Sequence, residues 1–410
     1  MRRVAWVLLL LLAFAIPWEY SLDLGEPVGN VARILGLLLL LAAIPAILQA
    51  GCVRTPGPAQ WMTLALYLWL SCSYFWTIDS AATLEKIRAY FQEMMIVWLV
   101  WEFAETPDDL RSLLRAFVAG SWVLAALTLV NFGSAEAMAA GQTRFAAYGQ
   151  DPNDVARFLD LGFPLAALLL ASESRWPPRL LALGYLPLGL FAVLLTASRG
   201  GFLAAIVALA GCGALLARER GRAVPAMLLV LLLAVAVLWA AVPREVFDRL
   251  ATIPAQLQGG DLNQRLNIWS AGWQAFTHAP LLGAGAGAFV DAAGLAAIDT
   301  AHNTVLSLLV SGGLCALLLA AGLVALVAHA VLQTRGPVRM ALAAALLVWM
   351  VTSAVATVEE SRTTWLLLAL SALAGRLAIE QPEHFESCFP ADARPREVAS
   401  ASGLIAQPHS

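Results

Sequence analysis

The chain has 410 residues, 60% of them hydrophobic and 13% charged, with a mean hydropathy of +0.76. Soluble domains carry roughly 25% charged residues, so this composition excludes an ordinary soluble protein and describes one built for lipid. The net charge of −3 says nothing about nucleic acid, no basic tract argues for it, and no nucleic-acid partner is expected.

A helix needs about 20 mostly apolar residues to cross a bilayer. By that measure twelve spans are expected, near residues 4–20, 30–50, 59–76, 87–103, 111–133, 152–171, 180–197, 200–217, 224–242, 302–330, 339–358 and 362–379. The opening "MRRVAWVLLLLLAFAIPW" has no small-x-small cleavage site before the polar stretch and is read as a retained first helix. The fourth run carries Gln92 and Glu93, and the tenth holds Gly312 and Gly313, where a kink is expected. The fold class is thus an all-α polytopic membrane protein, with helices one to nine in 1–242 and ten to twelve in 302–380. No two of the five cysteines share a loop outside the spans, so no structural disulfide is expected.

Residues 243–301 form the one large segment outside the spans. "REVFDRLATIPAQL" places Val246, Leu250, Ile253 and Leu257 at helical spacing, and "NQRLNIWSAGWQAF" does so with Trp269, Trp273 and Phe276. Two short amphipathic helices lying at the membrane interface are expected, joined by "QGGDL". "GAGAGAF" (283–289) follows no strand, so it is no dinucleotide fingerprint and reads as a flexible turn. The tail, 381–410, is expected to be a poorly ordered cytoplasmic segment.

Fifteen of the 25 Lys and Arg residues fall in alternating loops, which the positive-inside rule assigns to the cytoplasm together with both termini. The other ten crowd the opposite face, where the rule would remove them, and that excess points to a function. Arg199 in "TASRGG", Arg265 in the large loop and His302 in "AHNTVLSLLVSGG" all map to that outer face. Guanidinium groups bind phosphate oxygens in a bidentate fork, and an imidazole suits proton transfer near neutral pH. Ser198 adds a hydroxyl, Gly200 and Gly201 allow a close approach, and Asn303 stands beside the imidazole.

In "RFAAYGQDPNDVARFLD" (144–160), Asp151 followed by Pro152 reads as a helix N-cap with proline at N1. Arg157 and Asp160, three apart inside the span, are expected to pair, and Arg144 and Arg157 are candidates for the same cavity. Lys86 and Arg88 are similar candidates, with Glu93 as their expected partner. No His/Cys/Asp/Glu group has metal-ligand spacing; Asp151 and Asp154 come nearest, and neither metal nor cofactor is expected.

"TASRGG" (196–201), "RLNIWSAGWQAFTHAPLLGAGAGAF" (265–289), "AHNTVLSLLVSGG" (301–313) and "DPNDVA" (151–156), in this order within a twelve-span frame, resemble the O-antigen ligase/O-antigen polymerase family of bacterial inner membranes. The resemblance implies a GT-C-like polytopic glycosyltransferase that takes a glycan from undecaprenyl diphosphate at the periplasmic face. A ligase passes it to lipid A-core and releases the carrier diphosphate. By position, His302 is implied as the general base, with Arg199 and Arg265 holding the diphosphate. Direct attack on the anomeric carbon would invert configuration and needs no carboxylate nucleophile. Compact length and a single large loop favour a ligase over protein-glycosylating members. The alternatives are a polymerase of O-antigen or exopolysaccharide and, in another class, a twelve-helix transporter or flippase. Transporters of that size show internal repeats and broken helices at the midplane, and the candidate residues here sit at one face.

Overall fold

The structure, a computed structural model, describes residues 1–25, 29–219, 240–260, 264–296 and 300–390. Within them the chain is all-helical, with a single isolated bridge between Asp23 and Asn30.

Nine helices among the described residues are long and apolar enough to cross a membrane. They are α1 (Arg2–Ala15, continued by a 3-10 turn over Ile16–Ser21), α2 (Val31–Ala50), α5 (Pro107–Phe132), α7 (Pro152–Ser172), α8 (Trp176–Leu195), α9 (Arg199–Glu219), α14 (Thr304–Gln333), α15 (Gly336–Ser353) and α16 (Arg362–Glu380). Two further expected spans are also helical. α3 (Pro58–Cys72) has only 15 residues, and α4 (Ser80–Phe103) is long enough but carries Glu85, Lys86, Arg88 and Glu93. The span expected over 224–242 lies, but for its last three residues, outside the described residues. The short helices are α6 (Ala135–Ala139), α10 (Arg244–Ala251), α11 (Ile253–Gly259), α12 (Arg265–His278), α13 (Phe289–Ala293) and α17 (Pro382–Cys388).

α7 and α16 are the enclosed helices: every residue from Val155 to Leu170 is buried, and so is every one from Thr363 to Leu377. Apart from a few polar residues, among them Arg157 and Asp160 in α7 and Ser371 and Arg376 in α16, both are apolar on every side, which is the pattern of a helix surrounded by others. Gly162 lets Tyr185 cross α7, since a Cβ there would stand 2.3 Å from the phenol oxygen. The Tyr185 hydroxyl then donates to the Leu159 carbonyl at 2.6 Å.

At the end holding the N-terminus, arginines pair with carboxylates: Arg2 with Glu102 and Glu105, Arg54 and Arg376 with Glu380, Arg115 with Glu173. The tail does not begin as disordered chain, as expected from its composition. Pro382–Cys388 is helical because Phe385 and Phe389 are buried against the bundle, and Arg111 stacks on the Phe389 ring 5.2 Å away. Residues 391–410 lie outside the described residues.

At the other end, α14 breaks as expected at Gly312 and at Gly313, which has φ 66. The "GAGAGAF" segment is a rigid insert rather than a flexible turn. Ala284 N–H donates to Val310 O (2.7 Å), Gly285 N–H to Ser311 O (3.1 Å), and Leu314 N–H to Pro280 O (2.9 Å). The backbone groups freed by the kink are therefore satisfied by this segment, as burial among helices requires. Ser73 and Thr83 bond the backbone of Ala286 from the other side. Gly283, Gly285 and Gly287 all have positive φ, and a Cβ at Gly285 would stand 2.0 Å from the Thr77 hydroxyl. Only glycine fits there.

The large segment forms short helices as expected, the first stretch being broken at Thr252 into α10 and α11. α10 does bury Val246 and Leu250, against Ala197 and Phe202 beneath it. α12 turns Ile268, Gly272 and Ala275 inward onto α14 and α13, while Trp273 is 55% exposed. Trp269 spends its indole N–H on the Ala301 carbonyl at 3.1 Å. Trp269 and Phe276 flank this packing face and rest against the same cluster, so of the aromatic stripe only Trp273 points away.

Candidate functional site

The loop before α7 carries Arg144 into the bundle end because its neighbour Phe145 is an anchor. The Phe145 ring lies 4.9 Å from Phe132 and its N–H donates to Leu195 O. Asp151 caps α7 as expected, accepting from the Asn153 N–H at 2.7 Å. Asn153, two residues on, joins two motifs. Its Oδ1 accepts from Arg144 Nη2 at 2.9 Å and from the Ser198 hydroxyl at 2.8 Å. Arg144 Nε donates onward to Thr196 O at 3.1 Å. Ser198 in turn accepts the Gly201 N–H at 3.2 Å, so it acts as an N-cap of α9. Gly201 lets α9 approach α7: a Cβ there would stand 2.3 Å from Ala156 Cβ.

Arg199 opens α9, and its Nε donates to Arg249 O at 3.4 Å. Arg249 answers by donating its Nε to Ala197 O at 3.1 Å. This reciprocal clasp holds α10 over the start of α9. Arg249 is a residue that sequence reasoning passed over, because an arginine on an amphipathic helix reads as an ordinary interfacial charge. Arg265 opens α12 and is half-buried. A cation in the first turn of a helix opposes the helix dipole, and α9 and α12 both begin with one. An anion at those two N-termini would reverse the penalty.

The charges converge. Burial holds the Arg144 guanidinium below its ordinary value, and the positive charges of Arg249, Arg265 and Arg199 act in the same sense, against Asp151. Arg265 is likewise lowered by burial and supported by Asp151, and Arg249 is lowered by burial and by Arg199. The Thr196, Asn153 and Ala197 oxygens that accept from Arg144 and Arg249 are neutral.

His302 precedes α14 with φ 45, and Thr300 Oγ1 lies 3.3 Å from its Nδ1. It reaches the arginine group through α7: Asp154 stands within electrostatic range of Arg157, Asp151 and His302. Asn303 is occupied structurally, accepting the Leu306 N–H at 2.9 Å and donating to Ala354 O at 3.1 Å. The non-glycine residues with positive φ among those described are Ala197, Gln264 and His302. Each stands at the start of a segment that presents a candidate side chain, and such strain gathers at functional sites.

Three expected pairings are corrected. Arg157 pairs with Asp154 at 3.3 Å rather than with Asp160, whose carboxylate oxygens have no hydrogen-bond partner. The i−3 carboxylate sits toward the wetter end of α7, while Asp160 is wholly buried one turn deeper. Lys86 pairs with Glu360 at 2.5 Å rather than with Glu93, because its stem runs outward over Gly287. Arg88 is exposed on α4, and no hydrogen bond or ion pair joins it to the cluster among the described residues. Arg199, Arg265, Arg144, Arg157, Ser198 and His302 are brought to one end; Lys86 lies on the α4 flank of it.

Two acidic positions escaped the sequence reading. Glu19, buried at the end of α1, is bonded by Arg362 Nη1, whose Nη2 donates to Gln92 Oε1 at 2.6 Å. Glu359, in the loop before α16, is 6% exposed; burial and the adjacent Glu360 push its carboxyl up to about 7. Its oxygens make no hydrogen bond of good geometry, although the Thr304 and Ser307 hydroxyls lie beside it. Among the described residues, potential metal-ligand atoms come within 4.8 Å of one another at Asp108, His384 and Cys388, at the opposite end of the bundle.

A family model described as O-antigen ligase matches residues 184–321, from within α8 to within α14. That stretch contains Arg199, Arg249, Arg265 and His302, and the match supports the O-antigen ligase/polymerase family for this chain. The family is one of glycosyl-transfer enzymes that work on lipid-linked polysaccharide in membranes. No curated protein matches the chain significantly.

Proposed function

We propose, with this family as premise, that the chain is an O-antigen ligase of the bacterial inner membrane, its His302 end facing the periplasm and both termini the cytoplasm. The donor is O-antigen on undecaprenyl diphosphate and the acceptor is lipid A-core. His302 takes the proton of the acceptor hydroxyl as its oxygen attacks the anomeric carbon. The bond from that carbon to the diphosphate oxygen breaks, and the sugar inverts. Negative charge grows on the departing diphosphate, where Arg199, Arg265, Arg144 and Arg249 stabilise it. Fixed cations aimed at developing charge are the strongest catalytic device in a dry cleft, and this one needs no metal.

The observation that carries the reading is the gathering of Arg199, Arg249 and Arg265 within electrostatic range of Arg144, at the end of the bundle that also holds His302. A transporter path would spread its cations along the crossing, whereas these gather at one end. The test is the lipopolysaccharide profile of a deletion strain complemented with wild type or His302→Ala. Loss of all O-chains with accumulation of lipid-linked polymer, restored only by wild type, is the expected result. Core bearing one repeat unit would assign a polymerase, and an unchanged profile would remove the reading.

A further inference from the structure

The reaction proposed above joins two lipid-anchored substrates, and the arginine cluster accounts for one of them. A second feature stands on the other flank of the same end. Between α2 and α4, backed by Leu12 of α1, lies a cavity of about 300 Å³. Its walls are apolar, with Gly36, Leu40, Phe91 and Leu99 among them, and its upper end carries Arg33, Gln92 and Arg362. From Arg33 to Leu40 it follows α2 for about 10 Å, at 1.5 Å per residue. Leu37 and Leu41 of α2 are 58% and 57% exposed, so the slot opens sideways toward lipid. A Cβ built on Gly36 meets nothing within 4 Å, which leaves the middle of the slot empty of protein.

The polar end ties the slot to the site. Arg362 bonds Glu19 and Gln92, and the next residue, Tyr20, is within electrostatic range of Glu19, Arg362, Glu93 and Arg157. Arg157 pairs with Asp154, which feels His302. An apolar chain seated here therefore has its head group beside cations and on the His302 side of the bundle, while the donor diphosphate occupies the α9, α10 and α12 side.

We propose that this slot holds an acyl chain of the anionic glycolipid acceptor, with Arg33 and Arg362 meeting a phosphate of its head group. The proposal rests on the ligase reading for the name of the acceptor. Arg362 already balances Glu19, so it is the charge of exposed Arg33, joined to no carboxylate by an ion pair among the described residues, that selects an anionic lipid. The prior claim of the arginine cluster on the diphosphate selects the acceptor over the carrier.

The test uses purified full-length protein with donor and intact acceptor glycolipid, and the variants Gly36→Phe and Arg33→Glu. Gly36→Phe directs a ring from a Cβ that meets nothing within 4 Å, on a wall of the slot. Bilayer tails are as apolar as the slot, so only packing distinguishes the two, and the expected rise in acceptor KM is about fivefold. Arg33→Glu is expected to raise it about tenfold at low salt and less at high salt. Donor KM stays within about twofold for both, and Leu48→Phe, on the far exposed part of α2, changes nothing. A rise in donor KM instead would assign the slot to the carrier's chain, and no change in either would leave it to ordinary bilayer lipid; both overturn the proposal. Direct binding of a fluorescent acylated acceptor to wild type and Gly36→Phe separates the two readings. Binding that the variant weakens, without any glycan transfer by wild type, would remove the ligase reading and keep the slot.

Discussion

Asn153 is the joint between the two motifs of the arginine cluster, and two substitutions there make opposite predictions. Asn153→Ala removes one oxygen that accepts from both Arg144 and Ser198. Arg144 is only half-buried and recovers water, so its loss falls near the low end for a charged bond. The Ser198 hydroxyl is 3% exposed and loses its acceptor in a dry place. Together these amount to about 2 kcal/mol of stability. Asn153→Asp keeps both acceptors in place and adds a negative charge against Arg144. Stability at neutral pH should then hold or rise. The same carboxylate competes with the donor diphosphate for the cluster, and at a surface-like dielectric this is worth roughly 1–2 kcal/mol, about a tenfold rise in donor KM. Thermal unfolding in detergent and donor titration at 50 and 300 mM salt, where the Debye length falls from roughly 14 to 6 Å, read the two effects separately. If Asn153→Asp destabilises as much as Asn153→Ala, or leaves donor KM unmoved at low salt, the geometry assigned to Asn153 is wrong.

Glu359, raised to about 7 from an ordinary value near 4.5, favours the folded state while protonated. Its contribution is complete below pH 4.5 and disappears as pH rises through 7, a span worth about 3 kcal/mol. Glu359→Gln should therefore flatten the melting temperature between pH 5 and 8 and raise it at pH 8; parallel profiles for variant and wild type would refute this. Arg362→Met strands the buried Glu19 and should cost about 3 kcal/mol, most of it recovered by adding Glu19→Gln; failure of the double variant to recover would show that Arg362 acts through other contacts. Gly201→Ala drives a Cβ against Ala156 and should cost about 1–3 kcal/mol. Ala156→Gly should suppress it, and an additive double variant would contradict the close approach of α7 and α9.

Apolar runs made the bundle legible because lipid demands about 20 apolar residues per crossing regardless of neighbours. The kink at Gly312 and the cap at Asp151 were legible too, since both follow from local backbone preferences. Pairing was not. The Lys86–Glu360 and Glu19–Arg362 pairs join residues more than 270 positions apart, and no spacing rule reaches that far. Arg157 chose Asp154 over Asp160 for depth in the bundle, a quantity that i,i+3 geometry leaves open on either side. The glycine run misled for the opposite reason: positive φ allows flexibility in an isolated chain but here admits close contact with Thr77 and the α14 break. Arg199, Arg265 and His302 were found by their unfavourable placement, and Arg249 was hidden by a favourable one.

The same distinction explains why the cluster is a stronger signal than any of its members. At the other end of the bundle Arg2, Arg54, Arg115 and Arg376 have carboxylate partners, while Arg339 donates to the Thr334 and Leu332 carbonyls without crowding other cations. Arg144 and Arg249 sit against carbonyl and amide oxygens, with Asp151 the acid that acts on Arg144 and Arg265. Two of the four cations in the cluster also begin helices, so each works against a dipole as well as against its neighbours. Stability alone would replace such residues. A dianionic ligand converts every one of these penalties into attraction, and it does so most when its charge is greatest, at departure of the diphosphate. The rigid clasp between Arg199 and Arg249 serves that end: donors already fixed by backbone bonds spend little entropy when the charge arrives.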